Sequence, residues 1–444
     1  MSAAGHVPSV KTTRMSLTIY RQLEMRVGAG KLSKTADLNY SMHKYVSILR
    51  SRLPVIAGVA VVALAILVGT YTRGSVSGAW QMLRVPALSP LFADTRTMTH
   101  SIDCLLSGQD PYTVRSFDPW NRTYNYPPIW LDLRFLGVTS HSSILLGMAF
   151  AVMTISAFLL LLRTQIWASS AIIFFAVTSR SVLFAIERGN TDEVIFFLLV
   201  FGFFVIGRLK PEVRTFLNGT LIVLLTVLKI FPVAAVVSLV RNRKDFLVAL
   251  LCGVLSVAAL VATSEHRLPQ IMANTPQDTF ISFGSLPFFV AIFTHTSHFL
   301  LGIIQHHPKS QSLGAVLLAF LCVIAGTSYR EKLNRFLPPL DFNQTRGSIA
   351  VAGLAIFAVA FLRGSSYDYR LIFLLGAIAY LVEDLNESKS LRSLPAAILF
   401  VALLWKSPDL SLIYEIVDGF VYAIACAWLG TSLLDNLQIV RVTD

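Results

Sequence analysis

Apolar runs recur along almost the whole chain, and this pattern constrains the fold more than any other feature. A helix needs about 20 apolar residues to span the hydrocarbon core of a bilayer, and somewhat fewer where the bilayer thins. Such runs lie at 53–72, 142–162, 166–186, 193–207, 245–263, 311–328, 348–362, 370–382, 393–405 and 411–430. Only 14% of the residues are charged, against about a quarter in soluble proteins. The sequence therefore predicts an all-α polytopic membrane protein.

The net charge of +12 is explained by where the basic side chains lie. Lys and Arg collect in the cytosolic loops of membrane proteins, and residues 1–52 are rich in them. We predict a basic cytosolic tail over 1–52, a transmembrane domain over 53–432 and a cytosolic tail over 433–444, with no nucleic acid as partner. The first apolar run begins too late for a cleaved signal peptide, so we expect it to be a retained helix.

The segment from Phe216 to Val240 is flanked by basic clusters on both sides, at 208–214 and 241–244. A single crossing would place one cluster outside. Two short helices broken before Pro232 keep both inside, because proline cannot donate a helical hydrogen bond. With this hairpin the chain makes about twelve crossings, and Lys229 lies at the outer face.

A further apolar stretch, 286–304, does not fit this count. If it crossed the membrane, the basic residues at 330–346 would lie outside. We therefore expect an interfacial or re-entrant element on the outer face, with a true crossing as the alternative.

The first outer loop, 73–141, is the longest outer segment and carries a polar, aromatic stretch at 91–130. Asp94 precedes a helical pattern that stops at Gly108. Asp94 could be the helix N-cap, or it could be an ionised carboxylate that accepts a proton. The two motifs that follow, Gly108–Tyr112 and Tyr124–Pro128, are by themselves only a turn and an aromatic return to the membrane.

Three further segments place polar side chains on the outer face. In the first, Asn190 and Glu193 fit a capping box, while Arg188 is a cation at a depth where it needs a partner. Lys229 either snorkels to the interface or contacts a phosphate. The third segment, Arg363–Arg370, is too dense in hydrogen-bonding groups for a simple solvated loop.

The sequence shows no metal or cofactor signature. The histidines His295, His298, His306 and His307 lack ligand partners at a convincing spacing. The four cysteines stand singly at positions 104, 252, 322 and 426, so they indicate neither a disulfide framework nor a metal knuckle. We therefore expect neither a metal nor a cofactor.

The predicted outer face combines one loop carboxylate with several cations, above a largely apolar body. This combination would suit an enzyme that transfers a group from a lipid phosphate. Such a reaction needs a base for the acceptor hydroxyl and positive charge for the departing phosphate.

The order of these motifs resembles a known family. An Asp follows the first membrane helix, and after it come Gly108-Gln109-Asp110-Pro111-Tyr112 and then Tyr126-Pro127-Pro128. This order is similar to that of the GT-C superfamily of integral-membrane glycosyltransferases. Within it the chain resembles the bacterial polyprenol-phosphate-mannose-dependent α-mannosyltransferases. Arg188-Gly189-Asn190 and Leu228–Pro232 are similar to two further motifs of that family, and the resemblance covers about 55–385. Asp368 stands where the family has a histidine.

The resemblance implies a GT-C-like bundle and an inverting hexosyltransferase, with mannose as the expected hexose. It further implies an outward-facing site and a polyprenyl-phosphate donor. Asp94 would be the general base, and Lys229, Arg188 and Arg370 would bind the donor phosphate. The sugar or acceptor pocket would be formed by Arg96, Asp110, Tyr112, Tyr126, Asn190, Tyr367 and Asp368.

The expected location is a bacterial inner membrane, with both termini cytosolic. The expected partners are a lipid-linked sugar donor, a glycolipid or glycan acceptor, and membrane lipid. Two alternatives stay open: a multi-pass transporter, suggested by broken helices and intramembrane cations, and a non-catalytic assembly subunit with a degenerate GT-C fold.

Overall fold

The computed structural model describes residues 32–264, 266–276, 281–297, 310–388, 390–406 and 411–437. Two compact units divide the chain, Met1–Leu53 and Pro54–Asp444. The second unit contains all the candidate site residues.

Helices dominate the described residues. The α-helices are Leu32–Arg73, Val76–Met82, Ala93–Leu106, Ser143–Leu161, Trp167–Val177, Arg180–Arg188, Thr191–Ile206, Pro211–Leu228, Arg243–Ser264, Leu268–Asn274, Ser285–Thr296, Ser310–Ser328, Arg330–Asn334, Thr345–Leu362, Leu375–Ser388, Leu394–Leu404 and Ser411–Asn436. Short 3₁₀ helices cover Pro128–Leu136, Ser140–Ser142, Phe231–Leu239, Asp368–Leu374 and Leu391–Ser393. The described residues hold one two-stranded antiparallel sheet, in which Ser282–Phe283 pairs with Ser366–Tyr367.

Eight helices of the described chain are long and apolar enough to cross a membrane. Helix Arg243–Ser264 exposes a large apolar surface, including Leu247, Leu250 and Val254. Water would not favour such a surface, whereas lipid does. By contrast, Thr345–Leu362 is mostly buried and forms the centre of the bundle. These features confirm the expected fold class, an all-α polytopic membrane protein.

The predicted break before Pro232 is present. Helix Pro211–Leu228 ends at Lys229, whose backbone is extended, and a 3₁₀ helix continues over Phe231–Leu239 with Pro232 in its first turn. The other expected crossings that are not among the eight long helices correspond to shorter helices, such as Thr191–Ile206 and Leu394–Leu404.

The doubtful stretch 286–304 is only partly described. Its helix, Ser285–Thr296, has 12 residues and rises about 18 Å, well short of the roughly 30 Å hydrocarbon core. Residues 298–304 lie outside the described chain, as do His298, His306 and His307.

The first outer loop carries the short helix Val76–Met82 and the longer helix Ala93–Leu106. As expected, Gly108 ends the second helix with a positive φ of 80°. The loop then returns to the bundle through a cluster of buried aromatic side chains that includes Tyr112, Tyr124 and Trp130.

Candidate active site

A close contact between two turns fixes the position of Asp94. Thr95 Oγ1 donates to the Gly189 carbonyl at 2.6 Å. Gly189 has a φ of 58°, and a Cβ there would lie 2.4 Å from Thr95 Oγ1, so glycine is needed for both reasons. The approach brings the start of helix Ala93–Leu106 against the start of Thr191–Ile206. Phe92 occupies the N-cap position, so the alternative in which Asp94 caps its helix is wrong.

The Asp94 carboxylate is held from two sides. Its Oδ2 accepts from Asn190 Nδ2 at 2.5 Å, and its Oδ1 lies 3.3 Å from Arg122 Nη1. Its side chain is 12% exposed, so one edge remains open. A carboxylate fixed in this way can accept a proton from a hydroxyl that approaches the open edge.

Arg122 is itself anchored by Asp118 and by helix Ala93–Leu106. Its guanidinium contacts both oxygens of Asp118, the Ala93 carbonyl at 2.7 Å and the Thr97 hydroxyl. Burial alone would raise the pKa of the Asp118 carboxyl, but the hydrogen bond and charge of Arg122 outweigh it and lower that pKa. Burial by itself would lower the pKa of Arg122, but the charges of Asp94 and Asp118 outweigh burial and raise that pKa. The two acids therefore keep a permanent cation beside the candidate base.

Asp94 opens into a polar cavity of about 250 Å³. Three arginines, Arg115, Arg122 and Arg188, line it together with asparagine, threonine and aromatic side chains. Arg188 lies 3.4 Å from Glu187 through its Nε and stacks on Phe184. The structure thus places Arg188 in the lining of the cavity into which Asp94 opens.

A second, largely apolar cavity of about 520 Å³ adjoins the first. Its walls come from the Phe231–Leu239, Arg243–Ser264, Leu268–Asn274 and Thr345–Leu362 helices, and three cations line it: Lys229, Arg363 and Arg370. An apolar space bounded by positive charge suits a molecule with an apolar chain and an anionic head.

Lys229 is a buried cation of this cavity, with 7% of its surface exposed. Its Nζ lies 3.0 Å from Asp192 Oδ2 and donates to Asn190 and Thr191 at 3.1 and 3.3 Å. Burial lowers the pKa of Lys229 to about 8, although Asp192 opposes the shift. Arg370 shares the same Asp192 oxygen at 3.4 Å and stacks on Phe231. One carboxylate therefore balances two cations, which leaves an excess of positive charge.

The two cavities share a wall. Asn125, Tyr126, Tyr367 and Tyr369 line both of them. The Tyr367 and Tyr369 rings stack with centroids 5.4 Å apart, and burial raises the pKa of Tyr126 and Tyr369 well above the usual range. The phenols therefore stay neutral and can donate hydrogen bonds to a polar ligand that spans the wall.

Asn190 has two roles in this arrangement. It caps helix Thr191–Ile206 by accepting from the Asp192 backbone N–H at 2.9 Å, as expected. Glu193, three residues later, accepts from the Thr154 hydroxyl at 2.8 Å. Asn190 also links Asp94 to Lys229.

Besides Asn190, four of the predicted pocket residues line neither cavity. Arg96 donates to the Leu91 carbonyl at 2.7 Å. Asp110 pairs with Arg267 at 2.8 Å, and Tyr112 donates to the Tyr126 carbonyl at 2.9 Å. Asp368 is buried behind the wall, 3.9 Å from Lys406. These four residues surround the cavities from outside.

Arg122 and Arg363 line the cavities but are not among the site residues expected from the sequence. Arg122 follows a turn without periodicity, and its pairing with Asp94 spans 28 positions, so no local pattern could reveal it. Arg363 begins the polar turn 363–370, and the density of that turn was a usable signal. Burial lowers the pKa of Arg363 to about 10.

The described residues contain no group of three or more His, Cys, Asp or Glu side chains placed to hold a metal ion. What the site does provide is a carboxylate on one side of an aromatic wall and a cluster of cations on the other. This arrangement can accept a proton and stabilise a leaving anion within one reaction.

Comparison with known proteins agrees with this chemistry. The model of Glycosyltransferase family 87 matches residues 124–383, which include the aromatic return, Asn190, Lys229 and the turn 363–370. Searches of curated proteins and of solved structures found no match. The matched region covers more than half of the chain, and the chain belongs to glycosyltransferase family 87.

Proposed function

We propose that this glycosyltransferase moves a hexose, mannose by the resemblance described above, from a polyprenyl-phosphate donor to a hydroxyl of a glycolipid or glycan. The observation that carries the proposal is the shared wall between the two cavities. An apolar chain with a phosphate head fits the apolar cavity, and the sugar then reaches across Tyr126 and Tyr369 toward Asp94.

The reaction is a single displacement at the anomeric carbon. The acceptor oxygen forms a bond to that carbon as the bond from the carbon to the phosphate oxygen breaks. The electron pair of the broken bond leaves with the phosphate, and the acceptor proton passes to Asp94. Lys229, Arg363 and Arg370 meet the charge that develops on the phosphate, and attack from the side opposite the leaving group inverts the configuration.

The basic residues support an outward-facing site. The clusters at 208–214 and 241–244 flank the hairpin at its open end, and Lys229 lies at its tip. Cytosolic placement of both clusters puts Lys229, and with it the site, at the outer face. In a bacterium this is the outer face of the inner membrane.

The test is transfer from radiolabelled polyprenyl-phosphate mannose in membranes that contain the full-length protein, with polyprenyl-phosphate glucose and a nucleotide sugar as alternative donors. We expect product only from a lipid-linked donor. Asp94→Asn keeps the shape of the side chain but weakens it as a base, so product formation should be lost.

Asp132→Asn is the matched control. Asp132 lies in the same loop, its side chain is 58% exposed, and its nearest ion-pair partner in the described chain is Arg134 at 4.0 Å. This variant should retain full activity. Undiminished transfer by Asp94→Asn would overturn the base assignment, and transfer from the nucleotide sugar alone would overturn the donor assignment.

Two outcomes would favour the other candidate roles. A wild-type protein that binds polyprenyl phosphate without forming product would behave as a non-catalytic subunit. Movement of a labelled lipid or anionic solute across proteoliposomes, without a glycosylated product, would indicate transport.

A further inference from the structure

Asn190 touches both halves of the site while lining neither cavity. It is fully buried, and it sits behind the aromatic wall at the start of helix Thr191–Ile206. Its Nδ2 donates to Asp94 at 2.5 Å and lies 3.4 Å from the Tyr126 hydroxyl, while its Oδ1 accepts from Lys229 at 3.1 Å. One side chain thus connects the candidate base with the candidate phosphate ligand.

The orientation of the Asn190 amide is fixed by its neighbours. Its oxygen faces two donors, the Lys229 ammonium and the Asp192 backbone N–H. Its nitrogen faces the Asp94 carboxylate, which can only accept when ionised. A flipped amide would place donors against Lys229 and an oxygen against Asp94, so only one orientation satisfies all of these contacts.

We propose that Asn190 is a positioning residue that aligns Asp94 with the acceptor hydroxyl and Lys229 with the donor phosphate at the same time. The proposal rests on the function proposed above and goes beyond a role in the sugar pocket. Reacting groups must be aligned within a fraction of an ångström, and a displacement of 1 Å costs roughly 100-fold in rate.

Asn190→Asp separates this role from helix capping. Aspartate caps a helix as well as asparagine does, and its oxygens can still accept from Lys229 and the Asp192 backbone. It loses the donation to Asp94, which becomes a contact between two carboxylates, and the longer donation to the Tyr126 hydroxyl at 3.4 Å. A purely structural role therefore predicts little change for this variant, whereas the positioning role predicts a large one.

The pH dependence provides the decisive readout. Two adjacent carboxylates share a proton, so Asp94 in the variant would be free to act as a base only at higher pH. The other charged or titratable groups that face Asp94 stay unchanged: Arg122 with Asp118 from the first loop, Tyr126, Glu187, Arg188, Asp192, Glu193, Lys229 and Tyr369.

The experiment measures kcat, the KM of polyprenyl-phosphate mannose and the pH–rate profile for wild type, Asn190→Asp and Asn190→Ser. At pH 7 we expect kcat of Asn190→Asp to fall roughly 100-fold with a nearly unchanged donor KM, and the acid limb of its profile to move to higher pH. Asn190→Ser keeps a capping side chain but reaches neither Asp94 nor Lys229, so it should lose turnover at every pH.

An Asn190→Asp variant with the wild-type kcat and profile would overturn the positioning role. If that variant fails to fold in detergent, Asn190→Ser decides the question, and wild-type turnover in it would equally overturn the role. A wild type that transfers no sugar from the lipid donor would count instead against the proposed function.

Discussion

Lys229 and Asp192 allow a structural contact to be separated from a functional one. Lys229→Met removes one of the two cations that share the buried Asp192 oxygen and leaves Arg370 at 3.4 Å as the remaining ion-pair partner in the described chain. Removing one partner of a buried pair costs roughly 3 to 5 kcal/mol where it leaves a charge without a partner, but Arg370 still balances Asp192 in this variant. We therefore expect only a small drop in the thermal midpoint of the purified protein in detergent.

Asp192→Asn is the contrasting variant, because it leaves both Lys229 and Arg370 without their shared carboxylate. It should lower the thermal midpoint much more, since it breaks the buried pairs and leaves the charges unbalanced, at roughly 3 to 5 kcal/mol. Lys229→Met should instead stay folded and lose activity. A charge-assisted hydrogen bond contributes about 1.5 to 3 kcal/mol, so loss of the Lys229 contact to the donor phosphate should lower kcat/KM roughly 10- to 150-fold.

The assay compares the thermal midpoint with kcat/KM for the wild type and both single variants. If Lys229 binds the donor, Lys229→Met is stable and slow. A Lys229→Met variant that keeps the wild-type kcat/KM would show that Lys229 serves only to balance Asp192, and the reasoning would fail.

Three further predictions follow from the same geometry. Because Lys229 titrates at about pH 8, it is charged below that pH and neutral above it, so kcat/KM should decline as pH rises through 8; Lys229→Arg should remove this decline. Arg122→Gln leaves Asp94 without its cation at 3.3 Å and should reduce kcat at least tenfold, while Arg134→Gln, in the same loop, should not. Val359→Trp fills the apolar cavity and should raise the KM of a long-chain donor more than that of a short-chain analogue; equal effects on both donors would contradict a lipid chain in that space.

The sequence predicted the hairpin well because two independent physical constraints agreed on it. Basic clusters on both sides required an even number of crossings, and Pro232 required a break between them. Lys229 therefore had to lie near the tip, where the structure places it with an extended backbone. Asp94 could also be predicted from the sequence, since it lies close along the chain both to the first apolar run and to Gly108.

The lateral arrangement of the site could not be predicted in the same way. Topology assigns Arg188, Lys229 and Arg370 to one face of the membrane, but it does not say which helices are neighbours. In the structure Lys229 and Arg370 meet on Asp192, while Arg188 lines the cavity of Asp94. The partner of Asp94, Arg122, comes from an irregular loop whose path depends on tertiary contacts.

At position 368 this chain has Asp where the family that it resembles has histidine, and the structure gives a physical reason for the difference. Asp368 faces Lys406, a lysine that is 2% exposed and whose Nζ also lies 2.5 Å from Glu415 and 3.9 Å from Asp418. Burial by itself would lower the pKa of Lys406, but the charges of Asp368, Asp418 and Glu415 outweigh burial and raise that pKa.

The same lysine donates to the Ser282 carbonyl at 2.6 Å, and strand Ser282–Phe283 pairs with Ser366–Tyr367. The ion cluster therefore braces the turn that carries Tyr369 and Arg370 from the side opposite the cavities. A neutral histidine at 368 would remove one of the three carboxylates that surround Lys406. In this chain residue 368 stabilises the wall from behind, while Tyr367 and Tyr369 line both cavities.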